Sequence, residues 1–182
     1  MVGFVISPMA HFETARLVGE PLGPPHFEDL HRLYTDVRVT ATLGGVRSAS
    51  WICDYLKTVE KTWADGFDLW HLRDRETGMF AGRGGLRRVN VDGTPEVEVG
   101  WAFMPEFWGR GLATELGRAS VDIGFGSLDL DTIVSFTLTH NAPSRRVMEK
   151  CGLLYERNGL WADLPHVFYR ITANAWRAAA TG

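Results

Sequence analysis

Residues 98–115 read E-V-G-W-A-F-M-P-E-F-W-G-R-G-L-A-T-E, from Glu98 to Glu115. At the start of this stretch Val97, Val99, Trp101 and Phe103 alternate with Glu96, Glu98, Gly100 and Ala102, the period-two signal of a strand with two unlike faces. Met104-Pro105 ends the alternation, and Leu112, Leu116, Ala119 and Ile123 then recur at helical spacing. Between the two patterns stands Trp108-Gly109-Arg110-Gly111-Leu112-Ala113. Its small residues let a ligand's oxygens approach backbone N–H groups at the positive end of a helix dipole. The stretch therefore predicts a strand, a short proline turn and a glycine-opened helix that cradles a polyphosphate.

Working outward, Thr14 to Leu22 reads as a first strand, broken by Gly23-Pro24-Pro25 before a helix that carries Phe27, Leu30, Leu33 and Tyr34. A polar loop spans Thr40 to Arg47, and Ser48 caps a second helix running to about Asp65. Phe67 to Arg73 and Met79 to Val89 read as strands of an antiparallel meander, and Asn90 to Pro95 supplies the hairpin into the Glu96–Glu98 strand. After the glycine-opened helix come a strand at Asp131 to Thr139 and a helix at Asn141 to Cys151, stopped by Gly152. Strands near Leu154 to Arg157 and His166 to Thr172, and a helical tail at Asn174 to Ala180, complete a mixed sheet with flanking helices.

The 182 residues, 45% hydrophobic and 12% aromatic, suit one compact domain, with residues 13–176 as its core. A net charge of -3 with dispersed Lys and Arg gives no electrostatic basis for binding nucleic acid or an anionic membrane surface. No apolar run is long enough to span a bilayer, and Met1 to Ala10 lacks a signal-peptide layout, so the expected setting is cytoplasmic. Cys53 and Cys151 have no metal-ligand spacing and read as buried reduced thiols.

The segments F-W-G-R-G-L-A-T-E and N-A-P-S-R-R-V-M-E-K-C-G, with the opening E-T-A-R-L, resemble the GNAT-superfamily N-acetyltransferases over Glu13 to Trp176. The branch they look most like is the Rim type, typified by acetyltransferases of ribosomal-protein N-termini. The resemblance implies an α/β fold with a mixed, mostly antiparallel sheet, splayed at an acetyl-CoA site after the Glu98 strand. The usual signature has Gln or Arg, any two residues, Gly, any residue, then Gly or Ala. Here Trp108 takes the first position, with Gly111 and Ala113 in the later ones. Position by position, Trp108, Gly109, Arg110, Gly111, Leu112 and Ala113 would hold the pyrophosphate. Ala102, Phe103 and Met104 would offer backbone groups to the pantetheine arm, and Asn141 would contact CoA.

Acetyl transfer to an amine needs a neutral nucleophile and a proton for the leaving thiolate. A lysine amine of pKa about 10.4 is neutral in only about one part in 2,500 at pH 7, whereas an α-amine of pKa about 8 is neutral in roughly one part in ten. An α-amine acceptor therefore demands less of the base; the resemblance implies a primary amine, on a peptide N-terminus or a small molecule, and direct transfer is expected because the motifs contain no separate covalent nucleophile. Glu98 is the preferred general base and Glu96 the alternative; charged strand residues that merely solvate a sheet face are the plainer reading of both. Ser144 is the candidate acid, because Met148 fills the helix position where family members place a Tyr; first-turn capping by Asn141 and Ser144 explains the same residues without chemistry.

No metal is expected, since His71 and His140 lack partner ligands at a convincing spacing. Gly82-Arg83-Gly84-Gly85 reads as a bulge or a close backbone approach within a strand. Trp70, Trp101 and Trp161 are candidate linings of an acceptor pocket, whose loops would be Thr35 to Ser48 and Arg157 to Pro165. A noncatalytic CoA-binding module is the competing reading. So is another acyl donor such as succinyl-CoA, whose distal carboxylate Arg38, Arg47 or Arg157 could pair. A homodimer through terminal strands or exposed aromatics is compatible with the sequence.

Overall fold

The computed structural model describes residues 11–180, so the Met1 to Ala10 reading lies outside the described residues. Strands are β1 (Phe12–Glu13), β2 (Leu17–Pro21), β3 (Trp70–Asp74), β4 (Phe80–Val91), β5 (Thr94–Phe103), β6 (Thr132–Leu138), β7 (Leu154–Trp161) and β8 (Leu164–Thr172). Helices are α1 (Phe27–Thr35), α2 (Val37–Thr40), α3 (Ala49–Trp63), α4 (Leu112–Gly126), α5 (Ala142–Lys150) and α6 (Ala173–Ala180). Together they form a mixed α/β fold with an open sheet of eight strands flanked by helices. The chain falls into two compact units, and β4 and β5 each run through both.

The first unit takes residues 1–84 and 102–108. Its strands follow the order β1-β2-β3-β4, with antiparallel pairing from β1 through β4. The first strand expected over Thr14 to Leu22 is shorter, β2 at Leu17–Pro21, and the two-residue β1 precedes it, because Thr14 turns the chain with its hydroxyl accepting from Leu17 N–H at 3.1 Å. The amphipathic α1 buries Leu30, Leu33 and Tyr34, and α3 buries Ile52, Leu56 and Val59. Ser48 caps α3 as expected, its Oγ accepting from Trp51 N–H at 3.2 Å. The loop before it contains the short α2, capped by Asp36. Trp70, expected to line a pocket, is instead core, 1% exposed and stacked on Phe12 at 4.5 Å.

The second unit takes residues 85–101 and 109–182, with strand order β4-β5-β6-β8-β7. Asp92 and Gly93 both adopt positive φ, 51° and 85°, as the two-residue hairpin turn between β4 and β5 requires. Ala162 and Asp163 do the same between β7 and β8, at 48° and 61°. This hairpin absorbs Arg157 to Pro165, which is therefore strand and tight turn rather than the open acceptor loop expected. β5 runs parallel to β6 with Glu98 opposite Val134. At the next position the Ser135 hydroxyl donates to Val99 C=O at 2.8 Å. Leu112, Leu116, Val99, Ile133 and Phe168 are among the core residues.

Candidate active site

In the second unit, β5 does not alternate between core and solvent as its sequence suggests. Glu98 is 5% exposed and Val99 beside it is fully buried, so both faces are covered there. Glu98 Oε2 accepts from Arg87 Nε at 2.6 Å. Glu96 is gripped by Arg170, Nη1 to Oε2 at 3.1 Å and Nη2 to Oε1 at 2.8 Å, while Arg170 Nε donates to Glu156 at 3.1 Å. The two candidate bases are thus both ion-paired, and neither simply solvates the sheet. Arg87 was missed, although counting back equally along both arms of the Asp92-Gly93 turn brings it opposite Glu98.

The glycine-opened helix is α4, of 15 residues. Gly109 and Gly111 hold left-handed φ values of 73° and 79°, and Gly111 stands at the N-cap, where among the described residues no side-chain cap is made to the first turn. Arg110 is exposed, Ala113 half-buried, and Leu112 anchors the first turn in the core at 1% exposure. An uncapped N-terminus of a full-length helix, entered through two glycines, fits an anionic group by its backbone donors.

Asn141 caps α5, its Oδ1 accepting from Ser144 N–H at 3.3 Å and its Nδ2 donating to Thr137 Oγ1 at 2.9 Å. Ser144 is half-buried one turn in, and Met148 is buried at 1% exposure. Tyr169, not singled out from sequence, reaches α5 from β8. Its hydroxyl donates to Glu149 at 3.0 Å and accepts from Arg145 Nε at 3.3 Å. Cys151 packs near Gly117, and burial pushes its thiol up to about 11, which favours the protonated thiol at neutral pH. Cys53 is exposed, contrary to the expectation that both thiols are buried.

In the first unit, residues 102–108 pack against β4. Met104 N–H donates to Ala81 C=O at 2.8 Å. Phe103 C=O accepts from Trp108 Nε1 at 2.8 Å, which ties down the half-exposed indole. Gly82 confirms the close backbone approach: a Cβ there would lie 2.2 Å from Ala102 C=O.

His71 is not isolated, as its spacing suggested. It is 2% exposed, donates Nε2–H to Asp29 at 2.9 Å, and has Nδ1 3.6 Å from Glu20 and His26 stacked on it at 4.1 Å. Glu20, His26 and His71 place one ligand atom each within 4.8 Å of one another. Their geometry is nonetheless poor for an ion. The two imidazole planes lie 16° apart, so one ion cannot sit in the plane of both rings. Gly23 N–H donates to His26 Nδ1 at 3.1 Å, which leaves the proton on Nε2, and Arg73 sits 3.2 Å from the same Glu20 oxygen. The donors meet as a hydrogen-bonded stack.

The model of the acetyltransferase (GNAT) domain matches residues 16–154. The chain belongs to this family. It is 33% identical over 92 residues to the uncharacterized protein YkkB of Bacillus subtilis, covering 50% of this chain and 54% of that protein. It is 30% identical over 157 residues to the FsC-acetyl coenzyme A-N(2)-transacetylase of Aspergillus fumigatus, covering 78% and 64% respectively. The chain thus spans between half and two thirds of these relatives. The crystal structure of an acetyltransferase from Agrobacterium tumefaciens superposes with a TM-score of 0.74 at 27% identity, covering 88% of this chain and 93% of that one. No helix among the described residues of this GNAT domain is long and apolar enough to cross a membrane.

Proposed function

We propose that this GNAT domain transfers the acetyl group of acetyl-CoA directly to a primary amine, in the cytoplasm and without a metal. The observation that carries the reading is the uncapped start of α4, entered through left-handed Gly109 and Gly111 inside the family match. Trp108, Gly109, Arg110, Gly111, Leu112 and Ala113 are assigned to the pyrophosphate. Ala102, Phe103 and Met104 are assigned to the pantetheine arm, and Asn141 to a further CoA contact. Acetyl-CoA supplies the activated thioester. Glu98 is assigned to take the proton released from the acceptor nitrogen, relayed through water, and Ser144 to protonate the departing sulfur. The C–N bond forms as the C–S bond breaks, so no enzyme nucleophile is needed.

The acceptor is an α-amine of a peptide, as in the Rim-type branch, or an amine of a small molecule. Leu154, Tyr155, Leu160 and Leu164, exposed on the β7–β8 hairpin at the sheet edge, support a homodimer through that edge. Calorimetry with CoA, acetyl-CoA and succinyl-CoA on the protein and on Gly111→Glu tests the cofactor assignment. Binding that the variant loses supports it. Binding without turnover on a broad panel of amines would mean a CoA-binding module instead, and no binding at all would remove the enzyme reading.

A further inference from the structure

The three arginines that sequence offers to a carboxylate have different surroundings. Arg38 donates Nε and Nη2 to Asp36 at 3.0 and 2.6 Å, and Arg157 donates Nη2 to Asp92 at 2.6 Å. Arg47 has no carboxylate partner among the described residues. Its Nη2 donates to Leu43 C=O at 3.1 Å, its guanidinium lies over the Trp51 ring at 5.0 Å, and its Nε is buried without a hydrogen-bond partner. The cation is nevertheless held in place. Arg47 N–H donates to Tyr34 C=O at 3.1 Å, and Gly44, at φ +79°, leaves space where a Cβ would stand 2.9 Å from Arg47 Nη2.

A buried donor left unsatisfied on a charged group carries the desolvation cost of that group with nothing to offset it. The ligand class that relieves it best is a planar oxyanion, because a carboxylate matches two parallel N–H groups of the guanidinium fork. The location connects this group to the assigned site. Tyr34 Oη accepts from Arg83 Nε and Nη2 at 3.1 and 2.9 Å, and Arg83 follows Gly82, which abuts Ala102. Within one unit, Arg47 is therefore linked through Tyr34 and Arg83 to the segment assigned to the pantetheine arm.

We propose that Arg47, braced on Trp51, is a carboxylate-binding subsite for one of the two reactants, either the acceptor amine or a dicarboxylic acyl group on CoA. Only the choice of reactant rests on the acyltransferase reading; the subsite itself is tested without it. In protein labelled with 15N-arginine, the Arg47 Nε–H resonance, identified by its loss in Arg47→Gln, should shift saturably with sodium glutarate and not with sodium chloride at equal ionic strength. The Arg38 and Arg157 resonances should not follow it. A flat Arg47 response overturns the proposal, even if acetyl-CoA binds.

Calorimetry with Arg47→Gln and Arg47→Lys then names the source. A tenfold or greater loss of affinity for succinyl-CoA, with acetyl-CoA unchanged, places the carboxylate on the acyl group. The same loss for phenylalanine but not phenethylamine, measured on CoA-loaded protein, places it on the acceptor. A change below about twofold in both comparisons overturns the reactant assignment. Arg47→Lys keeps the charge without the fork, so it should show most of the loss while unfolding like the parent.

Discussion

Arg87 donates its Nε–H to Glu98 Oε2 across 2.6 Å, and the Glu98 side chain is only 6% exposed. The assigned base is thus also one half of a half-buried ion pair. Glu98→Gln should lower stability by about 2–3 kcal/mol, since it removes the charge-assisted hydrogen bond between Arg87 and a buried carboxylate. Urea denaturation reads that loss. If Glu98 carries the proton, kcat falls about 100-fold as well. Adding Arg87→Met to the variant should recover much of the stability and none of the turnover. Unchanged kcat in Glu98→Gln would give the residue a purely structural role.

Two glycines share a positive φ and differ in the space left for a side chain. At Gly82 a Cβ would lie 2.2 Å from Ala102 C=O, whereas at Gly109, with φ +73°, it would meet nothing within 4 Å. Gly82→Ala should cost about 3 kcal/mol, the upper range for a steric insertion into packed structure. Gly109→Ala should cost only about 1–2 kcal/mol, the penalty of a left-handed L-residue. Equal losses in a thermal or urea melt would contradict this account of Gly82.

Burial pushes the His71 imidazole below its usual value near 6.5, with the Asp29 hydrogen bond opposing that shift and the His26 ring adding to it. The folded chain then binds this proton less readily than the unfolded one. Stability from the neutral ring is complete above about pH 6.5 and is lost as pH falls through the lowered folded value. His71→Gln should flatten that part of the stability profile while keeping a donor for Asp29. An unchanged profile between pH 5 and 7 would show that His71 is not the group responsible.

Cysteine reactivity should be one-sided. Cys53 is exposed, while Cys151 is buried with its thiol at about 11. Iodoacetamide at pH 8, followed by peptide mass analysis, should label Cys53 and spare Cys151 until the protein unfolds. Rapid labelling of Cys151 in the folded chain would reopen the covalent route.

Local signals were the most legible. Ser48 and Asn141 were readable as caps because a cap is a short-range bond between a side chain and the next turn, and both make it. The Asp92-Gly93 turn was readable for the same reason. What escaped was set by distance along the chain. His71 meets Asp29 across 42 positions, and Arg170 meets Glu96 across 74, so neither spacing nor periodicity exposes them. Trp70 misled because an aromatic residue on a strand has the same sequence signature whether it faces a pocket or the core; its stacking on Phe12 decides the matter.

The pairing of Glu98 with Val134 also bears on how the second unit assembles. β7 is matched to β8 through a tight turn, so that pair closes a short loop early, whereas β6, matched to β8 from Thr132–Thr172 to Leu138–His166, reaches it across α5 and β7. The parallel bridge has to bring β5 and β6 together across the whole of α4 for a single opposed pair. A comparable loop is closed there for far fewer paired residues than in the β6–β8 ladder, so the bridge is expected to form after that ladder and to open before it.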